Sequence, residues 1–370
     1  MKIALLVPGG VDRTGTVKVI PCLLWLIERL AASEHDVHVF VPRQEDRPGS
    51  WPLLGATVHN AGRRHASPWM LGSIVAEHRK APFDIIHAFW SGLGAIGAVA
   101  GRLLRVPLVL TLPGGDVVRL PDIGYGARLS RRGEIYLRVA ARNATRITTP
   151  SRFMRNLATT LGIDAAVVPL GVDLVRWRVA PPRRREALAP IRLLHVADLN
   201  RVKDQPTLLN AIARLRAGGV PLELVVIGFD TLQGQIQRLA AQLGLAGEVR
   251  FLGHLPHAEL RPWFDRADLL VMASRHEAGP LVMLEAAVAG VPTVGTSVGH
   301  LADHSPEAAL AVPTGDERAL AEAIGTLAAD EERRLGMAAA AQDIAVRYDA
   351  DFTARTFLEM YRAARTTGSN

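Results

Sequence analysis

The chain of 370 residues carries a single cysteine, Cys22. One thiol excludes an intrachain disulfide and suits a reducing compartment. Aromatic residues make up only 5%, and no nucleic-acid-binding motif accompanies them, so a nucleic-acid partner is not expected. No apolar run reaches the roughly 20 residues that span a bilayer. The longest, 88–101, stops at Arg102. The opening run, residues 1–8, is too short for a secretory leader and lacks a small-residue cleavage site. These absences lead us to expect a cytoplasmic protein, with at most peripheral contact at the inner face of the membrane.

What is present is enough for two cores. Hydrophobic residues are 49% of the chain, and its length allows two domains of ordinary size. The net charge of +7 is uneven. Residues 1–180 hold 23 Lys and Arg against 13 Asp and Glu; residues 181–370 hold 20 against 23. A basic first half suits an anionic partner, such as a membrane surface touched by the N-terminal domain. A soluble, merely basic protein fits the same counts.

Along the chain, apolar strands alternate with amphipathic stretches. Residues 3–8 read as a strand buried on both faces, apolar without alternation. Gly9 and Gly10 follow it, then an amphipathic stretch over 17–32. Glycines at the carboxyl end of a first strand let a ligand approach the backbone; a tight strand–helix turn needs them equally. Strands are expected at 37–41, 84–89, 107–112 and 143–150, with a small-residue helix at 92–104. His87 ends one of these strands and is expected to face the ligand site, with a bond inside the fold as the alternative. Ser151 suits a helix cap. Residues 179–190, with Pro181, Pro182 and three consecutive arginines, read as a linker. Beyond it come a strand at 191–196, a helix at 206–217, and strands at 222–228, 250–253 and 267–274. A last helix spans about 351–364. Alternating βα units without a short repeat point to two doubly wound halves.

The most informative stretch runs from Arg275 to Gly295. Glu277 and Glu285 stand eight positions apart. Pro280 suits the first position of a helix and Gly290 the residue past its end. Glu277 then lies in the loop before the helix and Glu285 inside it. The N–H groups near Leu281 and Val282 would point from a helix end carrying about half a positive charge, which suits a diphosphate. An ordinary αβ unit with two solvated acids has the same spacing.

Glu277, Leu281, Glu285, Ala286, Gly290, Pro292 and Val294 together resemble the E-x7-E signature of retaining GT-B glycosyltransferases of glycosyltransferase family 4. The resemblance covers most of the chain and is most specific in its second half. It departs at Gly279-Pro280, where the family has an aromatic–glycine pair. It implies two Rossmann-like, doubly wound α/β domains facing a cleft. The implied division is an N-terminal acceptor-side domain at 1–178, a linker at 179–190, a nucleotide-sugar-binding domain at 191–348, and a C-terminal helix, 349–370, crossing back to the first domain. It also implies that Glu277 faces the donor sugar and Glu285 holds the ribose, with Gly279, Leu281, Val282, Gly9 and Gly10 beside the donor. Phe251 lies on a strand whose backbone, in relatives, runs against the base. Lys203 aligns with the lysine that grips the diphosphate. The family's arginine position is Asp198, which leaves Arg201 as its substitute. A Lys–Arg pair offsets a diphosphate without a metal.

The family's T-x-H-G-x-D reads Thr111-Leu112-Pro113-Gly114-Gly115-Asp116 here. Proline replaces a histidine that contacts the reacting sugar in relatives, and it shares no proton. Gly114, Gly115 and Asp116 stay as acceptor-side residues together with His87; Asp116 equally suits a helix cap. Asp349 and Asp351 form a D-x-D pair far from any strand end, where helix capping explains them better than a metal. The expected function is therefore a metal-independent retaining transferase. It moves a sugar from a nucleoside diphosphate sugar to a glycan, lipid-linked or small-molecule acceptor, with no cofactor. Alternatives are an inactive nucleotide-sugar binder, a GT-B-fold epimerase, and a pyridoxal-dependent phosphorylase, against which the scarcity of lysine argues.

Overall fold

A computed structural model describes residues 1–16, 19–186 and 189–367. It divides into two compact units, Met1–Gly171 with the C-terminal stretch from Ala350, and Val172–Asp349. Each unit is a wound α/β layer structure.

The first unit contains β1 (Lys2–Leu6), α1 (Pro21–Ala32), β2 (Asp36–Val41), β3 (Gly49–Leu53), β4 (Ala56–Asn60), α2 (Ala66–Lys80) and β5 (Ile85–Phe89). It continues with α3 (Ser91–Leu104), β6 (Leu108–Thr111), α4 (Arg131–Asn143), β7 (Arg146–Thr149), α5 (Arg152–Thr159) and β8 (Ala166–Val167). The sheet order is β3-β4-β2-β1-β5-β6-β7-β8. Every pairing is parallel except β3 with β4. β1 is buried along its whole length, as an unalternated apolar strand between two helical layers requires. One face packs on Leu23, Ile27 and Phe357, the other on Met70, Ile74 and Ala98. Ser151 caps α5, accepting from the Met154 N–H at 3.2 Å. The amphipathic stretch expected from residue 17 is helical from Pro21; Val17 and Lys18 lie outside the described residues.

The β3–β4 hairpin has no counterpart in the sequence reading. Its two-residue turn, Leu54-Gly55, has positive φ at both positions, +49° and +81°, the geometry that matches strand twist in a tight hairpin. Leucine is an unusual first residue there, and Pro52 interrupts the strand pattern. Proline is tolerated because β3 is the sheet's edge.

The second unit contains β9 (Ile191–Val196), α6 (Gln205–Ala217), β10 (Leu222–Ile227), α7 (Gln235–Gln242), β11 (Val249–Gly253), α8 (Arg261–Arg266) and β12 (Leu269–Met272). α9 (Leu281–Val288), β13 (Thr293–Thr296), α10 (Gly299–His304), β14 (Ala309–Val312), α11 (Glu317–Ala329) and α12 (Glu331–Arg347) follow. All its strands are parallel, in the order β11-β10-β9-β12-β13-β14. Residues 179–190, of which 187 and 188 are outside the description, carry no helix or strand. They are fastened to this unit. Ala180 N–H donates to the Val288 carbonyl at 2.9 Å, Arg183 pairs with buried Asp268 at 3.3 Å, and Arg185 N–H donates to Glu331 at 2.8 Å.

The last helix, α13 (Ala350–Thr367), belongs to the first unit. Asp351 pairs with Arg29 of α1 and sits in the first turn of α13, where the helix dipole favours an acid. Thr353 accepts from the Gly171 N–H at 2.9 Å and donates to the Pro169 carbonyl at 2.7 Å.

Candidate functional site

In the second unit, α9 begins one residue later than expected. Pro280 is its N-cap, extended at ψ 115°, so Leu281 and Val282 occupy the first two positions, whose N–H groups have no carbonyl inside the helix. Gly290 follows the C-cap with φ +75°. A Cβ there would stand 2.8 Å from the Pro181 carbonyl. The position thus needs glycine both for its left-handed backbone and for the close approach of residues 181–182.

Glu277 lies in the loop before that helix, as its spacing implied, and is 9% exposed. Its Oε1 accepts from Lys203 Nζ at 2.5 Å and from Ser274 Oγ at 2.7 Å. Lys203 comes from the loop after β9. That loop is tied down at three points. Asn200 Oδ1 accepts from the N–H groups of Val202 and Lys203, each at 3.2 Å. Arg275 N–H donates to the Val202 carbonyl at 2.7 Å, joining the two loops. Gln205 donates from Nε2 to the Asp198 carbonyl at 3.1 Å and lies 3.2 Å from His195 Nε2. His195 Nδ1 is 2.9 Å from the Val271 carbonyl, so Nδ1 carries the proton and Nε2 accepts from the amide. Burial lowers the His195 pKa to about 4. The imidazole is therefore a neutral strut beneath the lysine loop.

Glu285 is 3% exposed. Its Oε1 lies 2.6 Å from His257 Nε2, and that imidazole rests against the Trp177 ring at 5.4 Å. The loop after β13 closes the far side of Glu277. Gly299 has φ +55°, and a Cβ on it would stand 3.1 Å from Glu277 Cβ. The next residue, His300, is buried, and neither ring nitrogen has a partner among the described residues. Burial lowers its pKa to about 3, with a smaller push from His304.

The other expected donor residues fall differently. Asp198, at the family's arginine position, accepts from the Phe229 N–H at 2.9 Å. Arg201 is exposed on the lysine loop and, among the described residues, forms no ion pair. Gly279 stands in the loop between Glu277 and Pro280. Phe251 lies on the edge strand β11, half-buried. It lines a groove of about 750 Å³ with Arg192, Glu223, Arg250 and Trp263, none of which belongs to the Glu277 group.

Gly9 and Gly10 belong to the first unit. Gly10 has φ +78°, and a Cβ on it would stand 2.6 Å from the Ile20 backbone nitrogen. It is needed for the turn that brings the chain onto α1. The acceptor-side residues are mostly structural. His87 is 0% exposed, which corrects the expectation that it faces a ligand site. Its Nδ1 is 2.6 Å from Tyr361 Oη and its Nε2 2.7 Å from Thr111 Oγ1. It joins α13 to the sheet, and burial lowers its pKa to about 3. Asp116 is buried, and Oδ1 accepts from the Ser91 N–H at 2.7 Å, so it caps α3 from a distant part of the chain. Burial raises its pKa. Gly114 and Gly115 lie under Trp90 and Tyr125, whose rings would meet a Cβ at 2.7 and 2.9 Å.

Sequence reasoning missed Ser274, His257, Trp177, His195 and His300. The last two were readable only as a histidine within a strand and a histidine soon after one, a weak signal.

Residues 19–171 match the family model described as a glycosyl transferase 4-like domain, and residues 190–330 the one described as glycosyl transferases group 1. The chain is 35% identical over 301 residues to a 2-deoxystreptamine N-acetyl-D-glucosaminyltransferase of Streptomyces fradiae, covering 76% of this chain and 71% of that one. It is 30% identical over 347 residues to a glycogen synthase of Mycobacterium tuberculosis, covering 91% and 80%. A match to a D-inositol 3-phosphate glycosyltransferase of Corynebacterium urealyticum, 33% identical, spans 54% of this chain and only about half, 51%, of that relative. Among solved structures, sucrose-phosphate synthase from Thermosynechococcus elongatus superposes with a TM-score of 0.82 at 20% identity, covering 99% of both chains. Anabaena HepE, solved with UDP and glucose, gives 0.75 at 18% identity, covering 98% of this chain and 100% of that one. These likenesses show the GT-B fold of two Rossmann-like halves. With both family models matched in chain order and relatives aligned over most of its length, this chain belongs to the group 1 glycosyl transferases.

Proposed function

We propose that the chain is a retaining glycosyltransferase that moves a sugar from a nucleoside diphosphate sugar to an acceptor. The observation that carries this reading is the Lys203–Glu277 pair, held beside the start of α9 by Ser274 and by the Arg275–Val202 bond. Lys203 and the Leu281 and Val282 N–H groups supply positive potential for a diphosphate. That potential matters most as the leaving group gains charge. Glu277 holds the hydroxyls of the donor sugar, and Glu285 those of the ribose. Arg201, exposed on the same loop, adds a second cation. The leaving phosphate accepts the proton of the acceptor hydroxyl, so that Pro113 in place of a histidine does not stop the reaction. The diphosphate's charge is offset by these groups without a metal. Structures of similar fold hold such donors: HepE was solved with UDP-glucose.

A thermal-shift panel of nucleoside diphosphates and their sugars tests binding, since a ligand of the folded state raises its melting temperature. With the donor that binds, the anomeric configuration of the product, followed by NMR from the first turnovers, tests retention. Inversion, or binding without transfer or donor hydrolysis, defeats the reading.

A further inference from the structure

We propose that the groove formed by α2, α3 and α4 of the first unit binds the acceptor, and that this acceptor is an amphiphile: an apolar chain carrying a phosphate. The inference rests on the glycosyltransferase reading and deepens it by naming the acceptor class. The groove encloses about 670 Å³, within the range of ligand pockets. Pro8, Pro42 and Trp90, which follow β1, β2 and β5, form its base. It therefore opens at the carboxyl ends of parallel strands, where open α/β sheets take ligands.

Its walls are apolar. Leu71, Ile96, Val99, Ile135 and Val139 line it. Val99 and Ile135, on neighbouring helices, are 50% and 55% exposed. Two branched aliphatic side chains left in water on one groove mark a surface that something covers. Among the described residues, the charges that line the groove are positive. Arg43 is exposed and, among the described residues, forms no ion pair; Arg132 lies over the Tyr136 ring at 5.1 Å and donates to its hydroxyl at 2.5 Å. Among the described residues no carboxylate lines it. Arginines with no acid beside them select an anion, and guanidinium geometry suits phosphate. An apolar wall beside them favours an acyl or prenyl chain over a sugar, because Ser67 and Tyr136 are the only neutral side chains with a hydroxyl among the described lining residues.

Trp90 supplies an independent observation. It is a bulky residue at φ +66°, ψ 146°, a conformation that costs free energy and concentrates at functional sites. It is held there by its N–H, which donates to the Thr111 carbonyl at 2.9 Å, and by its indole, packed so close to Gly114 that Nε1 would stand 2.7 Å from a Cβ. The strained backbone and the missing side chain at Gly114 together set the indole at the base of the groove.

The test uses the full chain without donor. Farnesyl phosphate, farnesol and inorganic phosphate are titrated separately, following tryptophan fluorescence, with Trp90→Phe identifying the reporter. Farnesyl phosphate should bind at least about tenfold tighter than either fragment. Val99→Asp and Ile135→Asp, both at exposed positions, should each weaken it by about tenfold or more. Arg132→Ala with Arg43→Ala should reduce it to the level of farnesol. Each variant's melting temperature and its shift with nucleoside diphosphates check that both units stay folded. Equal binding of farnesol and farnesyl phosphate, or groove variants without effect, overturns the proposal. So does a dimer of the wild type that Ile135→Asp splits, because a second copy would then be the occupant. If farnesyl phosphate binds as expected while no nucleoside diphosphate sugar does, the groove stands and the transferase reading falls.

Discussion

His257 Nε2 lies 2.6 Å from Glu285 Oε1, although 28 residues separate them in the chain. A carboxylate with 4% of its side chain exposed needs such a partner, because an isolated buried charge is costly. One oxygen is held by the imidazole, and on the proposed function the other accepts from a ligand hydroxyl. Glu285→Ala should therefore weaken donor binding by roughly 1.5–3 kcal/mol per lost charged hydrogen bond. Glu285→Gln, which keeps an accepting oxygen, should lose less. His257→Ala should lower affinity too, by releasing the carboxylate from its fixed rotamer. Calorimetric titration of folded variants checks this; wild-type affinity in Glu285→Ala would remove the residue from the donor site.

Lys203 spends its charge on Glu277 in the protein without donor. On the proposed function a diphosphate would compete for the same ammonium, and the more so as the leaving group gains charge. Lys203→Ala should cut kcat by roughly 10- to 100-fold, the weight of a charged hydrogen bond of about 1.5–3 kcal/mol, and raise KM less. Lys203→Arg should recover part of the rate. EDTA should leave the wild-type rate unchanged. An absolute requirement for Mg²⁺ or Mn²⁺ contradicts the account.

The placement of Glu277 in a loop, of Glu285 inside a helix and of Gly290 past its end was legible because each rests on a local signal, whereas Lys203 came from the family resemblance alone. Helix start, helix stop and acid spacing all lie within 20 residues. The parallel strands were legible because a strand buried on both faces is a plain apolar run. That same property hid His87. When both faces of a strand are buried, alternation does not say which way a polar residue points, and His87 turned out to bond Tyr361, 274 positions later. His257 was hidden because its partner Glu285 is 28 positions away, and His195 because the Val271 carbonyl that fixes its tautomer is 76 away. The hairpin of β3 and β4 was hidden by its own residues, Pro52 inside a strand and leucine at a turn position that usually takes asparagine or glycine.

Gly290→Ala should destabilise the second unit by about 1–3 kcal/mol, since φ +75° is unfavourable to alanine and the added methyl meets the Pro181 carbonyl at 2.8 Å. Gly72→Ala makes the control, because a Cβ there meets nothing within 4 Å and the position is helical. That change should be neutral or slightly stabilising. Denaturant midpoints of the two variants measure the difference, and equal midpoints would contradict the close approach at Gly290.

Acid should destabilise the fold through its buried histidines, and His87 isolates one proton of the effect. Its pKa is lowered by burial to about 3, against an ordinary value near 6.5 in the unfolded chain. Between those values the unfolded chain holds a proton that the folded protein does not. Stability then rises with pH across that window. The contribution is complete above about pH 6.5 and is lost as pH falls toward 3, by at most about 1.4 kcal/mol per pH unit. His195, His300 and His59 are lowered to about 4, 3 and 4 by burial and act in the same direction. His87→Gln should lower stability at pH 7.5, because the bonds to Tyr361 and Thr111 are disturbed. It should also make the decline between pH 7 and pH 5 shallower by up to one proton's worth, leaving the slope due to the other histidines whose pKa burial lowers, His35, His38 and His78 among them. Urea unfolding at half-unit pH steps separates the two effects. A variant that is less stable by the same amount at every pH would show that His87 takes up its proton over the same pH range in the folded protein as in the unfolded chain, and with it that its burial in the Tyr361–His87–Thr111 chain is wrongly drawn.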